Sequence, residues 1–568
     1  MLHSRIVPKA TLLAVAVTAL LQVRPAQAKG RTGFCGTVPG RHQDAIWAHR
    51  EQESRRGGVR ALAGTRRDAA FAYGQIAVLM DEGDLALAKN DLDLIGVNVG
   101  FTPVPGGYRV TRGAVPLSAG PGTPMAFGDD DTHEVALPFA FPFYDRVFDR
   151  VFINSDGNLT FGEGDAASTA RRVGRLVGGP PRIAPLLTDL DPTAGGAIST
   201  QATGDRFIVS WRELPSFEST IKNTFEVVLY PDGRIDFVYG ADLNGNFDEG
   251  VAGIAPGQGL GGLLAVDFRH ANGETSGGAL AESFRPESEF DEVAVARKYF
   301  ASFPDEVEQL VVYTDRHLTA PGTFAYERGV KNEVSGLGDG IYDYSLEYGS
   351  AGHLESFVMM DTLAKYPDDP TVKFLHGVDT ALSVLAHETG HRWLTRVLFL
   401  DGGALSDALL GRQLAHWSFF MNSGASFLEG NEIQDQGSGR FQTTAASQRY
   451  SPLDQYLMGL RGAEEVPSFF YVASVTGVTA ARDRTPEVGV AFGGARRDVS
   501  LGDVVTAVGP RSPTVADSPK VLRQSFVYVA TSSPAEVDLA KLERIRAAFP
   551  AFYAAGTEGR GQVDPRIN

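Results

Sequence analysis

Short strand-like runs dominate the hydrophobic pattern between residues 71 and 285. Apolar and polar side chains alternate, or β-branched residues cluster, in runs such as 207–212 and 225–230. Turn sequences separate these runs, among them Asn154-Ser-Asp-Gly and Pro231-Asp-Gly. Because no helical pattern intervenes, we predict a β-sandwich-like domain over residues 71–285.

Helix and strand patterns are mixed in the remainder of the chain, residues 286–568. Helical spacing is present at 290–300, and the apolar run at 310–314 is typical of a strand. Two further helices are predicted over 378–400 and 534–553. The predicted fold class is therefore multidomain, with the β-sandwich-like domain followed by an α+β domain.

The first 28 residues have the three-part pattern of a secretory signal peptide. Arg5 and Lys9 supply the positive charges, residues 11–23 are mostly apolar, and Ala26-Gln-Ala is a small-residue cleavage site. The apolar run is shorter than the roughly 20 residues of a spanning helix. We therefore expect a secreted protein with no membrane span.

Residues 29–70 are polar and lack apolar periodicity. The stretch 50–58 is especially rich in Arg, Glu and Gly. Such a composition is typical of a mobile segment. We interpret residues 29–70 as a pro-segment or a linker.

Charge and cysteine content narrow the function classes. The formal net charge is −17, which argues against nucleic acid as a partner. Cys35 is the only cysteine, so no intramolecular disulfide can form, and zinc sites built from several thiolates are excluded.

The strongest chemical signal is His387-Glu388-Thr-Gly-His391, inside the predicted helix 378–400. A separation of four residues places both imidazoles on one helix face, where they can reach one zinc ion. Glu388 lies beside them and can take a proton from a zinc-bound water. The pattern predicts a zinc centre with Glu388 as its catalytic base.

With these residues the chain resembles the zincin metalloproteases, whose signature is H-E-x-x-H. The resemblance implies a zincin-type catalytic domain over residues 286–568 and the hydrolysis of peptide bonds. The substrate would then be a protein or a peptide. The short metzincin extension is missing, because Leu394 and Val397 stand where Gly and His or Asp would be.

The third metal ligand must therefore come from a later segment. His416, followed by Trp, is similar to the distant third ligand of leishmanolysin-type metzincins, and Met458 lies in a later segment like the metzincin Met-turn. Glu429 and Glu432 are the alternatives, in a thermolysin-like arrangement. We favour His416.

Two tyrosines are candidates for a supporting catalytic role. Tyr450 and Tyr456 could each donate a hydrogen bond to the oxyanion of a tetrahedral intermediate. Simple burial in the core is the favoured interpretation.

A calcium loop is a further candidate. Asp242, Asn244, Asn246 and Asp248 place oxygen side chains at alternate positions, which suits calcium. Phe247 occupies the position where an EF-hand loop has glycine, so a polar hairpin turn is the favoured interpretation.

Cys35 has two interpretations. A lone unpaired thiol is the favoured one, because the surrounding Gly33-Phe-Cys-Gly is unlike the matrixin switch sequence. The alternative is a thiolate that caps the zinc ion in a proenzyme, since zinc binds thiolate well.

A second resemblance lies in the β-rich half. Leu137-Pro-Phe-Ala-Phe-Pro-Phe-Tyr and Val151-Phe-Ile-Asn-Ser-Asp-Gly-Asn, together with Ile183-Ala-Pro-Leu-Leu-Thr-Asp, resemble the extracellular nidogen-type domain over roughly residues 125–265. The resemblance implies a binding or spacer module.

Three functions follow as hypotheses. A secreted zinc endopeptidase is favoured. A non-catalytic adhesion or matrix-binding protein and a zinc hydrolase of a non-peptide amide are the alternatives. Glu388 favours an enzyme, because a binding protein has no need of a base between two zinc ligands.

Overall fold

The computed structural model describes residues 35–37, 42–56, 70–113, 115–120, 122–168, 170–243, 249–271, 273–319, 322–479 and 481–567. The predicted signal peptide lies outside these residues. So do Asn244, Asn246 and Asp248 of the predicted calcium loop. The part of the chain that the structure describes is mainly β and forms several sheets, in agreement with the sequence pattern.

The first helix, α1 (Asp44–Arg56), lies within the segment predicted to be a pro-segment or linker. Its Trp47 is buried, and the Glu51 carboxylate accepts a 2.7 Å hydrogen bond from the Arg285 guanidinium. The expectation of a mobile run over 50–58 is wrong as far as Arg56, because this buried ion pair and the Trp47 packing hold the helix. Three short strands follow: β1 (Ala70–Tyr73), β2 (Ile76–Met80) and β3 (Ala86–Leu87).

A β-sandwich with one short helix comes next along the chain. Its elements are β4 (Asn98–Val104), β5 (Gly107–Arg112), β6 (Thr123–Met125), β7 (Thr132–Phe143), β8 (Arg146–Asn154), β9 (Asn158–Thr160), α2 (Val173–Gly178), β10 (Arg182–Leu187), β11 (Ala197–Thr203), β12 (Arg206–Pro215), β13 (Lys222–Leu229), β14 (Ile235–Tyr239), β15 (Gly250–Ala255), β16 (Leu263–Ala265), β17 (Thr275–Ser276) and β18 (Ala279–Phe284).

The sandwich consists of two sheets packed face to face. One has the strand order β16-β18-β15-β10-β9-β8-β7, and the other has the order β17-β5-β4-β14-β13-β12-β11-β6. Alternate side chains of both sheets meet in one core that includes Phe141, Trp211 and Phe237. Residues 207–211 and 223–229 of β12 and β13 are buried on both faces, because Ile208, Val228 and Tyr230 form a small apolar cluster on the side away from this core.

The second half of the chain combines helices, a mixed sheet and a small barrel. Its elements are β19 (Glu289–Phe290), α3 (Glu292–Phe300), β20 (Gln309–Thr314), β21 (Tyr326–Gly329), β22 (Lys331–Asn332), β23 (Tyr342–Asp343), β24 (Ser356–Thr362), α4 (Ala381–Gly390), β25 (Phe399–Asp401), β26 (Ala404–Ser406), β27 (Trp417–Asn422), β28 (Glu429–Gly437), β29 (Arg440–Ala445), α5 (Pro452–Leu457), β30 (Phe469–Thr476), β31 (Ala491–Val499), α6 (Leu501–Val508), β32 (Val521–Ala530), α7 (Glu536–Gly556) and β33 (Gln562–Asp564).

The mixed sheet has the strand order β1-β2-β32-β20-β24-β21, and β33 also pairs with β32. The central strands β2, β32, β20 and β24 are parallel, whereas β21 is antiparallel to β24. β20, β24 and most of β2 and β32 are buried, which explains their continuous apolar runs. α4 packs near β24, β21 and α7.

The domain boundary predicted at residue 71 does not separate the two halves. β1 and β2 belong to the mixed sheet, where Ile76–Met80 pairs in parallel with 526–530 of β32. The remainder of the predicted range, from residue 98 onward, forms the sandwich. Local patterns could not show this, because an apolar strand can pair with either sheet.

The helix predicted over residues 378–400 is shorter than expected. α4 ends at Gly390, and a single turn follows it, in which the amides of Trp393 and Leu394 both donate to the Gly390 carbonyl. Leu394 and Val397 are fully buried in the apolar core that also contains Leu385 of α4. Their apolar character reflects this burial in a loop and not a continued helix.

A closed barrel is formed by β27, β28, β29, β31 and β30. It encloses its own apolar cluster, which includes Phe419, Phe441, Phe470 and Phe492. The barrel lies between α4 and α7 in the chain, and its first strands, β27 and β28, begin next to His416 and at Glu429. The barrel therefore anchors the segment that returns to the helix.

Candidate metal centre

The helix α4 presents His387, Glu388 and His391 inside the protein. Thr380 caps its N-terminus: the Ser383 amide donates to the Thr380 hydroxyl at 3.0 Å, and the Thr380 amide donates to the Ser383 hydroxyl at 2.8 Å. Every residue of α4 is buried. A fully buried helix leaves the polar side chains of the motif to interact only with protein groups or a bound ligand.

Four ligand-type side chains converge at this point. Cys35, His387, His391 and His416 are buried, and one potential ligand atom from each lies within 4.8 Å of all the others. The Nε2 atom of His387 is 3.1 Å from that of His391 and 3.2 Å from that of His416. In the part of the chain that the structure describes, this is the one group of three or more His, Cys, Asp or Glu residues close enough to hold a metal ion.

Backbone carbonyls set the orientation of the three imidazoles. The Nδ1 atom of His387 is 2.6 Å from the Phe427 carbonyl oxygen, that of His391 is 3.1 Å from Leu394 O, and that of His416 is 2.8 Å from Arg412 O. A carbonyl only accepts, so each Nδ1 carries the proton and each Nε2 presents its lone pair to the centre.

The protonation state of these rings suits metal binding. Burial lowers the pKa of His387 to about 3 and holds the pKa values of His391 and His416 well below the ordinary range. All three rings are therefore neutral at pH 7, as metal ligands must be.

The distances between the rings also fit a zinc ion. The Nε2 atom of His387 lies about 3 Å from those of His391 and His416, and lone pairs this close repel each other unless a cation lies between them. Tetrahedral zinc with Zn–N bonds of about 2.0–2.1 Å would place neighbouring nitrogens roughly 3.3 Å apart. The observed separations of 3.1 and 3.2 Å are close to that value. The donor set therefore fits zinc.

Cys35 occupies the remaining side of this centre. Its Sγ atom lies 3.3 Å from Nε2 of His391 and 3.3 Å from Oε2 of Glu388. The Thr37 amide donates to the same sulfur at 3.3 Å. Cys35 is a free, buried thiol, as the favoured interpretation expects, and its place beside His391 and Glu388 is also compatible with the zinc-capping alternative.

Glu388 lies beside the centre without joining the three imidazoles. Its Oε2 atom accepts from the Cys35 thiol and, at 3.4 Å, from the Thr37 hydroxyl. Its Oε1 atom is buried and has no hydrogen-bond partner among the described residues. Burial raises the pKa of Glu388 to about 8. The carboxyl group is thus poised to exchange a proton near neutral pH.

The two alternative carboxylate ligands point elsewhere. Glu429 forms a buried ion pair with Arg412, and its Oε1 atom is 4.0 Å from Nε2 of His416. Glu432 accepts a 3.1 Å hydrogen bond from the Thr444 hydroxyl on the neighbouring strand. His416 is the candidate that the fold brings to His387 and His391.

Neither candidate tyrosine faces the metal centre. The Tyr450 hydroxyl donates at 2.5 Å to the Ala386 carbonyl oxygen, and the Tyr456 hydroxyl accepts from the Arg511 amide at 3.0 Å. Both side chains are buried, in agreement with the favoured interpretation of the two tyrosines as core residues. Each tyrosine instead pairs a backbone group inside the core.

Asp242 and Met458, predicted for a calcium loop and for a Met-turn, are both in the described part of the chain. Asp242, the described member of the calcium loop, accepts a 2.7 Å hydrogen bond from the Thr224 hydroxyl. Met458 is the C-cap residue of α5 and is buried in the main core.

Sequence reasoning missed Arg412 and Gln413, which lie in the turn before His416. The Nη1 atom of Arg412 donates at 2.9 Å to the Cys35 carbonyl oxygen. When the Gln413 side-chain amide is turned so that its nitrogen faces residues 35–37, it donates to Cys35 O at 3.0 Å and to Thr37 O at 3.2 Å. The position of Arg412 four residues before His416 is the available signal in the sequence.

Comparison with known proteins supports the β-rich half. Residues 106–280 match a family model described as "NIDO related", so this part of the chain is a nidogen-like domain. The resemblance noted over residues 125–265 is confirmed. Neither a curated protein nor a solved structure matches the chain. Among the described residues, no helix is long and apolar enough to cross a membrane.

Proposed function

We propose that this chain is a secreted zinc-dependent endopeptidase, and that the form described here is latent. The observation that carries the proposal is the convergence of three neutral imidazoles, from His387, His391 and His416, with the Glu388 carboxyl beside them. A secreted location is supported by the nidogen-like domain, since such domains are extracellular.

The three histidines would hold the metal, and Glu388 would move the protons. A zinc ion there would supply Lewis acidity and lower the pKa of water to about 7. Glu388 accepts a proton from the attacking water as its oxygen forms a bond to the peptide carbonyl carbon. It then delivers that proton to the amine nitrogen as the C–N bond breaks. The pKa of about 8 that burial gives Glu388 suits both transfers.

Cys35 explains why the form described here would be inactive. A catalytic zinc site has three protein ligands and keeps one position for water, whereas a site with four protein ligands is closed. Cys35, after loss of its thiol proton, would supply the fourth ligand, and the Thr37 hydroxyl donates to Glu388. Withdrawal of residues 35–37 would free the fourth position and the base together.

A purely structural zinc site in an adhesion protein is the second candidate function. The four buried ligands favour it, because closed sites of this kind stabilise folds. The nidogen-like domain is compatible with an adhesive role. The two functions differ in what removal of the cysteine does.

The Cys35→Ala variant separates the two candidates. If the site is catalytic, the variant retains zinc and digests casein faster than the unmodified chain, and a chelator abolishes the digestion. If the site is structural, the variant loses zinc affinity and shows no proteolysis.

The control is the double variant Cys35→Ala/Glu388→Gln. An amide cannot take the proton from water, so we expect full zinc content and a rate about 10²–10⁴-fold lower. Equal digestion by the single and double variants would reveal a contaminating protease and contradict the role of Glu388.

A further inference from the structure

Arg412 is a partly buried cation, with its side chain 13% exposed, that points at residues 35–37 beside the candidate metal centre. One of its guanidinium nitrogens, Nη1, donates at 2.9 Å to the Cys35 carbonyl oxygen. The other, Nη2, pairs with the Glu429 carboxylate and lies 3.3 Å from Nε2 of His416. Its Nε atom is buried without a partner among the described residues. Arg412 thus contacts a metal ligand and a peptide carbonyl at the same time.

The backbone around Arg412 is strained. Gln413 and Leu414 have φ values of 58° and 54°, and Glu429, the ion-pair partner, has a φ of 71°. Residues other than glycine rarely adopt this left-handed conformation, because the Cβ atom crowds the backbone there. Strained residues are concentrated at functional sites, where the surrounding structure holds a side chain in the position that the function requires.

Residues 35–37 show what the surrounding groups bind. This segment lies alongside β21, with the Gly36 amide donating to the Ala325 carbonyl oxygen at 2.8 Å. On its other side, Arg412 and Gln413 donate to the carbonyl oxygens of Cys35 and Thr37. The contacts of Arg412 and Gln413 go to the backbone of the segment, so they do not depend on its side chains.

We propose that Arg412 is a catalytic residue that binds the carbonyl oxygen of the scissile peptide bond. The proposal rests on the proposed peptidase function. When residues 35–37 leave, Nη1 of Arg412 loses its acceptor and faces the vacated space next to the three histidines. A substrate carbonyl placed there receives the same hydrogen bond that Cys35 O receives now.

Arg412 would act most strongly in the transition state. As water adds to the carbonyl carbon, the C=O electron pair moves onto oxygen, and the negative charge develops where the guanidinium already points. A hydrogen bond to a developing charge in a buried site is stronger than one to a neutral carbonyl. Glu429 keeps the guanidinium in place and is a positioning residue.

The test compares variants in the Cys35→Ala background, where the thiol no longer caps the centre and a substrate peptide can displace the backbone of residues 35–37. Replacement of Arg412 alone would leave Glu429 as an unpaired buried charge, so the main variant is Arg412→Gln/Glu429→Gln. We expect kcat for a quenched fluorescent peptide that the parent cleaves to fall about 10²–10³-fold, as for removal of an oxyanion donor. KM should change less than about threefold, because the bond is strongest in the transition state. Zinc content should not change.

Two further variants extend the test. Arg412→Lys keeps the ion pair with Glu429 and should lose less kcat than the double variant. Arg412→Ala removes the side chain, and a few millimolar methylguanidinium should restore part of its activity. Arg496→Gln, which removes an exposed arginine of the barrel paired with Asp498, is the matched control and should leave kcat unchanged.

A second readout does not depend on catalysis. In the chain that retains Cys35, the double variant removes a donor from the Cys35 carbonyl. Iodoacetamide should then modify the Cys35 thiol faster than in the unmodified chain, with metal content matched between the samples.

The outcomes separate the two proposals. If the Cys35→Ala parent holds zinc but does not cleave peptides, the peptidase function is wrong and the Arg412 proposal falls with it. If the parent cleaves peptides and the double variant has the same kcat, only the Arg412 proposal is wrong. Loss of zinc from the folded double variant would mean that Arg412 supports His416 and not substrate, which also overturns the proposal.

Discussion

At the scale of single residues, the hydrogen bonds of the three histidine Nδ1 atoms are the main support for the candidate metal centre. Each of His387, His391 and His416 gives its Nδ1 proton to a backbone carbonyl, so each Nε2 lone pair faces the centre and can bind a cation. Glu388 is the candidate base for a similar reason, because its Oε1 atom is buried and has no hydrogen-bond partner among the described residues.

His416 should be essential for metal binding. The His416→Ala variant should bind zinc more than about 100-fold more weakly than the parent, since loss of a direct ligand exceeds the 10–100-fold effect of an outer hydrogen-bond partner. Competition with a fluorescent chelator measures the affinity. Glu432→Gln is the matched control and should be unaffected, because that carboxylate contacts Thr444 and not the cluster. The opposite ranking would favour the thermolysin-like alternative.

Glu282 should make the stability of the sandwich depend on pH. Burial raises the pKa of this carboxyl group to about 7, above the unfolded value of 4.5. Between these values the folded state binds more protons than the unfolded state, so stability falls as pH rises from about 4.5 to 7 and then levels off.

Glu282→Gln should remove this dependence while still accepting the hydrogen bond from the Phe268 amide. We compare the free energy of unfolding of the variant with that of the unmodified chain at each pH, by urea unfolding. The difference should favour the folded variant by about 1–3 kcal/mol more at pH 8 than at pH 4.5. Glu213→Gln, at an exposed carboxylate paired with Lys222, should show no such gain. The same difference at both pH values would mean that Glu282 is ionised in the fold.

At the scale of secondary-structure elements, close packing of α4 positions its histidines. Gly390 is the last residue of this helix, and a Cβ atom there would lie 2.7 Å from Cδ2 of Leu428 and 3.0 Å from Cε1 of Tyr450. The motif therefore contains glycine for a steric reason, because Leu428 and Tyr450 occupy the space that a side chain would need.

Gly390→Ala tests this packing. Alanine normally stabilises a helix relative to glycine by up to about 1 kcal/mol. The overlap with Leu428 and Tyr450 should reverse the sign and cost about 1–3 kcal/mol in unfolding free energy. Gly502→Ala in α6 is the matched control: its Cβ would approach the Ser500 hydroxyl only to 3.4 Å, so it should be neutral or stabilising. Stabilisation by both changes would show that α4 has room to move.

At the scale of the whole molecule, the nidogen-like sandwich is inserted into the other fold. β2 precedes the sandwich in the chain, yet it pairs with β32 near the C-terminus. Asn90 and Arg285 are bonded through their backbones, so the sandwich enters and leaves at neighbouring points. The sandwich also has an apolar core of its own.

Two fragments follow from this arrangement. Residues 88–286 should fold alone, with a cooperative unfolding transition by circular dichroism. Residues 286–568, which the sequence pattern predicts to be an independent domain, should not fold, because β32 then lacks β2 and the core loses Ile76 and Val78. A soluble, cooperatively unfolding 286–568 fragment would show that β1 and β2 are dispensable.

Features that depend on local spacing could be predicted from the sequence. Four residues separate His387 from His391, and helix geometry alone puts both on one face with Glu388 beside them. The helix α3, the strand β20 and the helix α7 likewise follow from periodicity over a few residues. The nidogen-like domain shows itself through its strand and turn sequence.

Features that depend on contacts distant in sequence were decided by the tertiary structure. Cys35 and Glu388 are 353 positions apart, and no periodicity links them. The pairing of β2 with β32, the end of α4 at Gly390 and the inward turn of Arg412 likewise result from packing between distant segments. Local patterns tell which residues will be buried, whereas only the folded chain determines which buried groups meet.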